Sequence, residues 1–143
     1  MSVSQISVFT ESKPGHLSRI LANFNEASVS VKGYSVSDTG DYGIARFIVD
    51  DIDKAKQSLQ SKNNAFTTTQ VLCMKLQDNP GELARVFDLL SEKNINVKYS
   101  YSMISTYIVL NTTDNECAKA ALHDAGIETI AQKDIESIDA SSI

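Results

Sequence analysis

Disulfide and metal chemistry have little to work with in this 143-residue chain, whose two cysteines, Cys73 and Cys117, stand apart with no CxxC spacing and no nearby histidine pair. Both thiols read as small hydrophobes of a reducing compartment. Long apolar runs are missing too. No stretch approaches the roughly 18 to 20 uninterrupted apolar residues of a membrane helix, and the opening MSVSQISVF lacks the basic and apolar regions of a secretory signal, which predicts a cytoplasmic protein. A basic surplus is also absent: 13 Lys+Arg against 18 Asp+Glu give a net charge of −5. That balance argues against nucleic acid and anionic membrane as partners. What is present is a hydrophobic share of 42%, that of an ordinary globular protein.

The organising feature is an internal repeat. SKPGHLSRILANFNE and DNPGELARVFDLLSE follow one pattern at an offset of 66 residues, as from Gly15 to Gly81. Identical pairs are Pro14/Pro80, Gly15/Gly81, Leu17/Leu83, Arg19/Arg85, Glu26/Glu92, Val31/Val97 and Lys32/Lys98. Leu17, Ile20, Leu21 and Phe24 recur as Leu83, Val86, Phe87 and Leu90, an i, i+3, i+4, i+7 stripe that predicts an amphipathic helix beginning at each Pro-Gly. Further on the offset shortens to 63. Ala55, Lys56 and Leu59 pair there with Ala118, Lys119 and Leu122 in a second, shorter helix of each half.

Strands surround these helices. Ile6 and Val8, like Leu72, Met74 and Leu76, alternate with other residues and predict a half-buried strand before the first helix of each half. Residues 28–38 and 41–51, then 95–103 and 106–111, are rich in β-branched and aromatic residues and predict two hairpins. Tyr34 aligns with Tyr99 only if Gly33 is an extra residue, which places a β-bulge at that glycine. Asp50 and Asp51, and the run Thr113 to Glu116 in capping-box form, predict the starts of the second helices. A last strand, AFTTTQ or GIETIAQ, closes each half. The result is an α+β protein of two ferredoxin-like βαββαβ units, residues 1–69 and 70–143, docked as an internal pseudo-dimer. A unit this small buries only about 60% of its unfolded surface, and open sheet faces and edges invite a second copy, so a homodimer is expected.

Duplicated βαββαβ units with a Pro-Gly-x-Leu turn opening the first helix resemble tandem ACT domains. The resemblance spans about residues 2 to 133 and is nearest to the small bacterial stand-alone ACT–ACT proteins. It implies a regulatory, noncatalytic module that binds a small amino acid at an interface between ACT units, with no cofactor. In ACT domains of the phosphoglycerate dehydrogenase type, an Asn two residues before the Pro and another at the start of the second strand contact the ligand. Carried over, the first falls on Ser12 and Asp78 and the second on Ser30 and Asn96. Asp78 would then meet a ligand ammonium.

The residues themselves suggest an anion at the turns, because a helix N-terminus exposes unpaired N–H groups and a glycine there lets a ligand come close. Asn79 as N-cap before Pro80 and Glu82 as its capping-box partner would satisfy the second turn, at Gly81, from within. Lys13 and His16 stand at the equivalent places of the first turn, where their charged forms would add positive potential. The expected site for the carboxylate is therefore Lys13, Gly15, His16 and Leu17, with the ammonium toward Asp78 and Asn96 of a second unit. The plainer alternative is that Ser12 caps the helix and Gly15 serves only the turn.

Rival readings are weaker. Asp41 to Phe47 superficially follows an RNA-binding pattern, but Ile44 and Asp41 stand where an aromatic and a basic residue belong. His16 and His123 lie in different halves, away from either cysteine, so no activated nucleophile is visible and the chain does not read as an enzyme. Asp38 and Asp41 offer too few oxygens for a hard cation. Tyr34, Tyr99 and Tyr101 read as packing residues. A structural dimerisation or assembly module without a ligand is the remaining alternative to an amino-acid sensor.

Overall fold

The computed structural model describes residues 2–77 and 79–138. Asp78, one of the expected ligand residues, lies outside them. The chain forms two compact units: Ser4–Thr69, and a second built from Gln70 onward together with the first residues of the chain.

The first unit follows the order β1 (Val3–Glu11), α1 (His16–Glu26), β2 (Val31–Asp38), β3 (Tyr42–Val49), α2 (Ile52–Ser61) and the beginning of β4 (Phe66–Lys75). The strand β3 runs antiparallel to both neighbours, pairing Phe47 with Ile6 of β1 and with Tyr34 of β2. The Phe9 amide donates to the Ala65 carbonyl just ahead of β4 at 3.0 Å. Apolar alternation on the strands meets the helical stripe in one core, where Ile6, Val8, Ala45, Phe47 and Val49 pack with Ile20, Phe24, Ala55 and Leu59. The Phe24 and Phe47 rings meet edge to face, centroids 5.3 Å apart.

The second unit repeats the plan with the remainder of β4, α3 (Glu82–Glu92), β5 (Val97–Ser102), β6 (Tyr107–Thr112) and α4 (Asn115–Asp124). Leu72, Met74, Ile108 and Leu110 pack there with Val86, Leu90, Ala118 and Leu122. Here β6 pairs with β4 and β5, all antiparallel. The β2–β3 ladder continues past Val36↔Ala45 to Asp38↔Gly43, whereas β5–β6 stops at Ser102↔Ile108 and closes through a short 3₁₀ turn, Ile104–Thr106. The shorter connection accounts for the change of offset from 66 to 63.

Three expectations need correction. Gly33 is not an extra residue: the register shifts between Val31 and Gly33 in β2 and between Val97 and Tyr99 in β5, so both units bulge at the same lysine, Lys32 or Lys98. The last strand of the second unit, GIETIAQ, shrinks to a bridge between Met74 and Thr129 and a bond from the Ile130 amide to the Cys73 carbonyl. Asp134 then accepts from the Ala131 amide and turns the chain into α5 (Gln132–Ile135), which buries Ile135. Finally, Asp114, not Thr113, caps α4 by accepting from the Cys117 amide at 3.0 Å. Glu116 pairs instead with Lys119, so no capping box forms at α4.

Candidate functional site

Both Pro-Gly turns put their glycine at the N-cap in the left-handed region, Gly15 at φ 95° and Gly81 at φ 85°. Conformations of this sign are open to glycine and costly for most other residues. Among the described residues no side chain caps α1 or α3. By contrast Asp51 and Asp114 cap α2 and α4. The difference leaves the first amides of α1 and α3 without a side-chain acceptor, at the positive end of the helix dipole.

Around the first turn Ser12 does not cap the helix; its Oγ donates to Asp38 Oδ1 at 2.9 Å, where the Gly40 amide also donates. Lys13 pairs with Glu11 at 2.7 Å. That hydrogen bond and charge hold the Glu11 carboxyl below the usual carboxylate range. His16 corrects the expectation of a cation at the turn. Its Nδ1 accepts from the Glu11 amide at 2.9 Å and its other nitrogen meets Asn64 Oδ1 at 3.2 Å, so both ring nitrogens are engaged within the unit. Ser12, Lys13 and Leu17 line a groove of about 340 Å³ with Val36 and Asp38. Gly15 forms the turn beside it.

The second turn does not form the expected capping box. The N-cap is Gly81, and Asn79 bonds to Gln77 Oε1 at 3.1 Å while its carbonyl accepts from the Glu82 amide. Glu82 reaches Arg85, one turn on, at 3.3 Å.

The family model for the ACT domain pair matches residues 1–139. The chain belongs to the ACT domain pair family. Its fold is similar to the crystal structure of protein BT0572 from Bacteroides thetaiotaomicron, at 26% identity and TM-score 0.90 over 96% of this chain and 98% of that one. It is also similar to the regulatory subunit of aspartate kinase from Thermus thermophilus, at 17% identity and TM-score 0.61 over 85% and 91% of the two chains. The regulatory subunit from Thermus flavus gives 16% identity and TM-score 0.58 over 86% and 92%. No curated protein matches. ACT domains are regulatory, and no catalytic family is indicated.

Within each ACT unit the start of the second strand is pinned away from the turn. The Ser30 amide donates to Asp50 Oδ1 at 2.8 Å, and the Asn96 amide to Thr113 Oγ1 at 3.2 Å. Ser30 does not line the Lys13 groove, and Asn96 borders a different hollow with Phe87 and Ser91. The acceptor that the first turn does gather is Asp38, which the sequence reading had considered only for a metal. Its signal was the hairpin: Asp38 ends β2 opposite Gly43, and that register carries it back to Ser12. Among the described residues no group of His, Cys, Asp or Glu could hold a metal ion, and no helix is long and apolar enough to cross a membrane.

Proposed function

We propose that this ACT domain pair is a noncatalytic cytoplasmic sensor of a small amino acid, bound at the Pro-Gly turn of the first unit. The observation that carries this reading is an uncapped helix start sharing one groove with a cation and a carboxylate. The ligand carboxylate takes the free amides behind Gly15, beside Leu17, with Lys13 near it, and the ammonium faces Asp38, whose Oδ2 has no partner among the described residues. Small-molecule sites enclose most of their ligand. This groove is open on one side, so a second ACT unit of a homodimeric partner closes over it, bringing Asn96 and Asp78 as further acceptors. Occupancy is then coupled to the relative placement of the units, with about 1 to 3 kcal/mol typical of such coupling.

The test is a thermal-shift screen of the twenty amino acids on the full chain, followed by calorimetry on any that respond. A ligand at 100 times its dissociation constant stabilises the fold by about 2.7 kcal/mol. Lys13→Ala and Asp38→Asn should each weaken the same ligand, and esterifying its carboxylate should abolish the Lys13 effect. Gly15→Val is a poor probe, because the residue sits at φ +95° and a Cβ there would lie 3.1 Å from Arg19 Nη1. Silence across the panel, with a stable dimer by light scattering, would favour the assembly module. A monomer of 15.6 kDa would sink the shared site.

A further inference from the structure

The two ACT units carry the same arginine at the same place and use it differently. In the second unit Arg85 Nη2 donates to the Ala125 carbonyl at 2.6 Å and Nη1 meets Glu82 at 3.3 Å, tying the start of α3 to the end of α4. The ends of α2 and α4 correspond bond for bond. Asn63 and Asn64 donate to Gln60 and Leu59 as Gly126 and Ile127 donate to His123 and Leu122. Lys62 therefore occupies the place of Ala125, and His16 that of Glu82. In the first unit both His16 nitrogens are already engaged, and the Arg19 guanidinium makes no bond to the Lys62 carbonyl that corresponds to that of Ala125. Neither the Arg19 guanidinium nor the Lys62 ammonium has a hydrogen bond or ion pair among the described residues. Where Arg85 bridges the second unit, the first has a groove of about 740 Å³.

We infer that this groove, between α1 and the end of α2, binds a phosphate monoester carrying an aromatic ring, of which a nucleoside monophosphate is the representative. Glu11, on which the Arg19 charge also acts, is ion-paired with Lys13 at 2.7 Å, so the Arg19 and Lys62 cations leave the groove net positive and match a dianion. A guanidinium fork with a second point charge suits phosphate oxygens. The ring has a partner in Phe9, which lines the groove and is 43% exposed. Aromatic side chains stack on bases of any identity. The equivalent of Phe9 in the second unit is Lys75, which lies over the Tyr107 ring at 5.9 Å. The Asn23 and Asn63 carboxamides, also on the groove and without side-chain partners, supply donors and acceptors for the sugar or base. This site does not rest on the amino-acid reading: the two grooves share only Thr10 and Glu11.

The experiment is calorimetric titration of the full chain with AMP, adenosine and inorganic phosphate at one fixed salt concentration. AMP should bind about tenfold or more tightly than either fragment, and Arg19→Gln should weaken it by at least about tenfold. Lys62→Gln should weaken AMP while leaving any amino-acid response of the thermal-shift screen intact. Phe9→Ala should weaken AMP and not phosphate, and Arg85→Gln should leave AMP binding unchanged. Thermal melts of each variant confirm that it folds; should Arg19→Gln not fold, Lys62→Gln carries the test. No binding of AMP at millimolar concentration, AMP binding indifferent to both cations, or phosphate binding as tightly as AMP each overturns the proposal.

Discussion

The two ACT units share the backbone around their helix ends and differ in how one arginine and its neighbours use it. Each has a left-handed glycine before its first helix, a bulge at a lysine and a left-handed residue after each of its two main helices, at Ser28 and Asn63 in one and Asn94 and Gly126 in the other. At positions 16, 19 and 62 the first unit places His, Arg and Lys, where the second has Glu, Arg and Ala. In the second those residues close upon one another. The first is left with an imidazole engaged elsewhere, a guanidinium without a hydrogen bond and an open groove. Duplication kept the scaffold and freed one copy to expose polar groups that the other uses for its own stability, which is how a binding surface arises without cost to the fold as a whole.

The sharpest way to break the parallel is through the cores. Phe24→Ala should destabilise the first unit by about 3 to 5 kcal/mol, because a fully buried ring and its edge contact with Phe47 are lost together. Chemical denaturation followed by circular dichroism measures it. The arginines separate the units next. Arg85→Gln should cost about 1.5 to 3 kcal/mol through its charge-assisted bond to Ala125, whereas Arg19→Gln should stay within about 0.5 kcal/mol of the parent. Equal losses for the two would contradict the assignment of Arg19 as unpaired.

Helix caps come third. Asp51→Ala should cost about 0.5 to 2 kcal/mol, and Asp114→Ala should lower the melting temperature in the same direction. The Asp114 carboxyl is held below its ordinary value by the Cys117 amide it accepts, so its contribution is present above the ordinary carboxylate range and fades as pH falls through that lowered value. The gap in melting temperature between Asp114→Ala and the parent should close in acid. The smallest effect concerns the thiols. Burial pushes Cys73 up to about 12, and Asp114 raises the exposed Cys117 thiol more mildly. An alkylating reagent at neutral pH should find one slow thiol in the folded protein and two after unfolding, and Asp114→Ala should speed the first.

Periodicity made the repeat, the helices and the strand order readable, because burial enforces a period of 3.6 or 2 whatever the details. Even there the helical stripe is narrower than it looks: Ile20 and Phe24 are buried, while Leu21 and, in the second unit, Leu83 stand exposed. What periodicity does not encode is where a polar side chain finds its partner. Ser12 looks like a cap and bonds to Asp38, twenty-six residues away; Asn79 looks like a cap and the glycine after Pro80 takes that place. His16 looks like a cation and serves as an acceptor. Asn64, which orients it, belongs to the end of another helix, and nothing in the local sequence links the two. The bulge was visible as a misfit of alignment but placed one residue late, since a glycine attracts that assignment and the lysines carry it.

Those lysine bulges also bear on aggregation. β2 and β5 are flanking strands, joined to β3 and β6 respectively, and flanking strands with free N–H and C=O groups are the places where chains add to one another without limit. A bulge breaks the regular ladder and a lysine at the break brings charge to it, so the flat edge available to a foreign strand is cut short at Lys32 and at Lys98. An irregularity kept at the same residue of both copies limits indiscriminate strand addition with a single unpaired position in each.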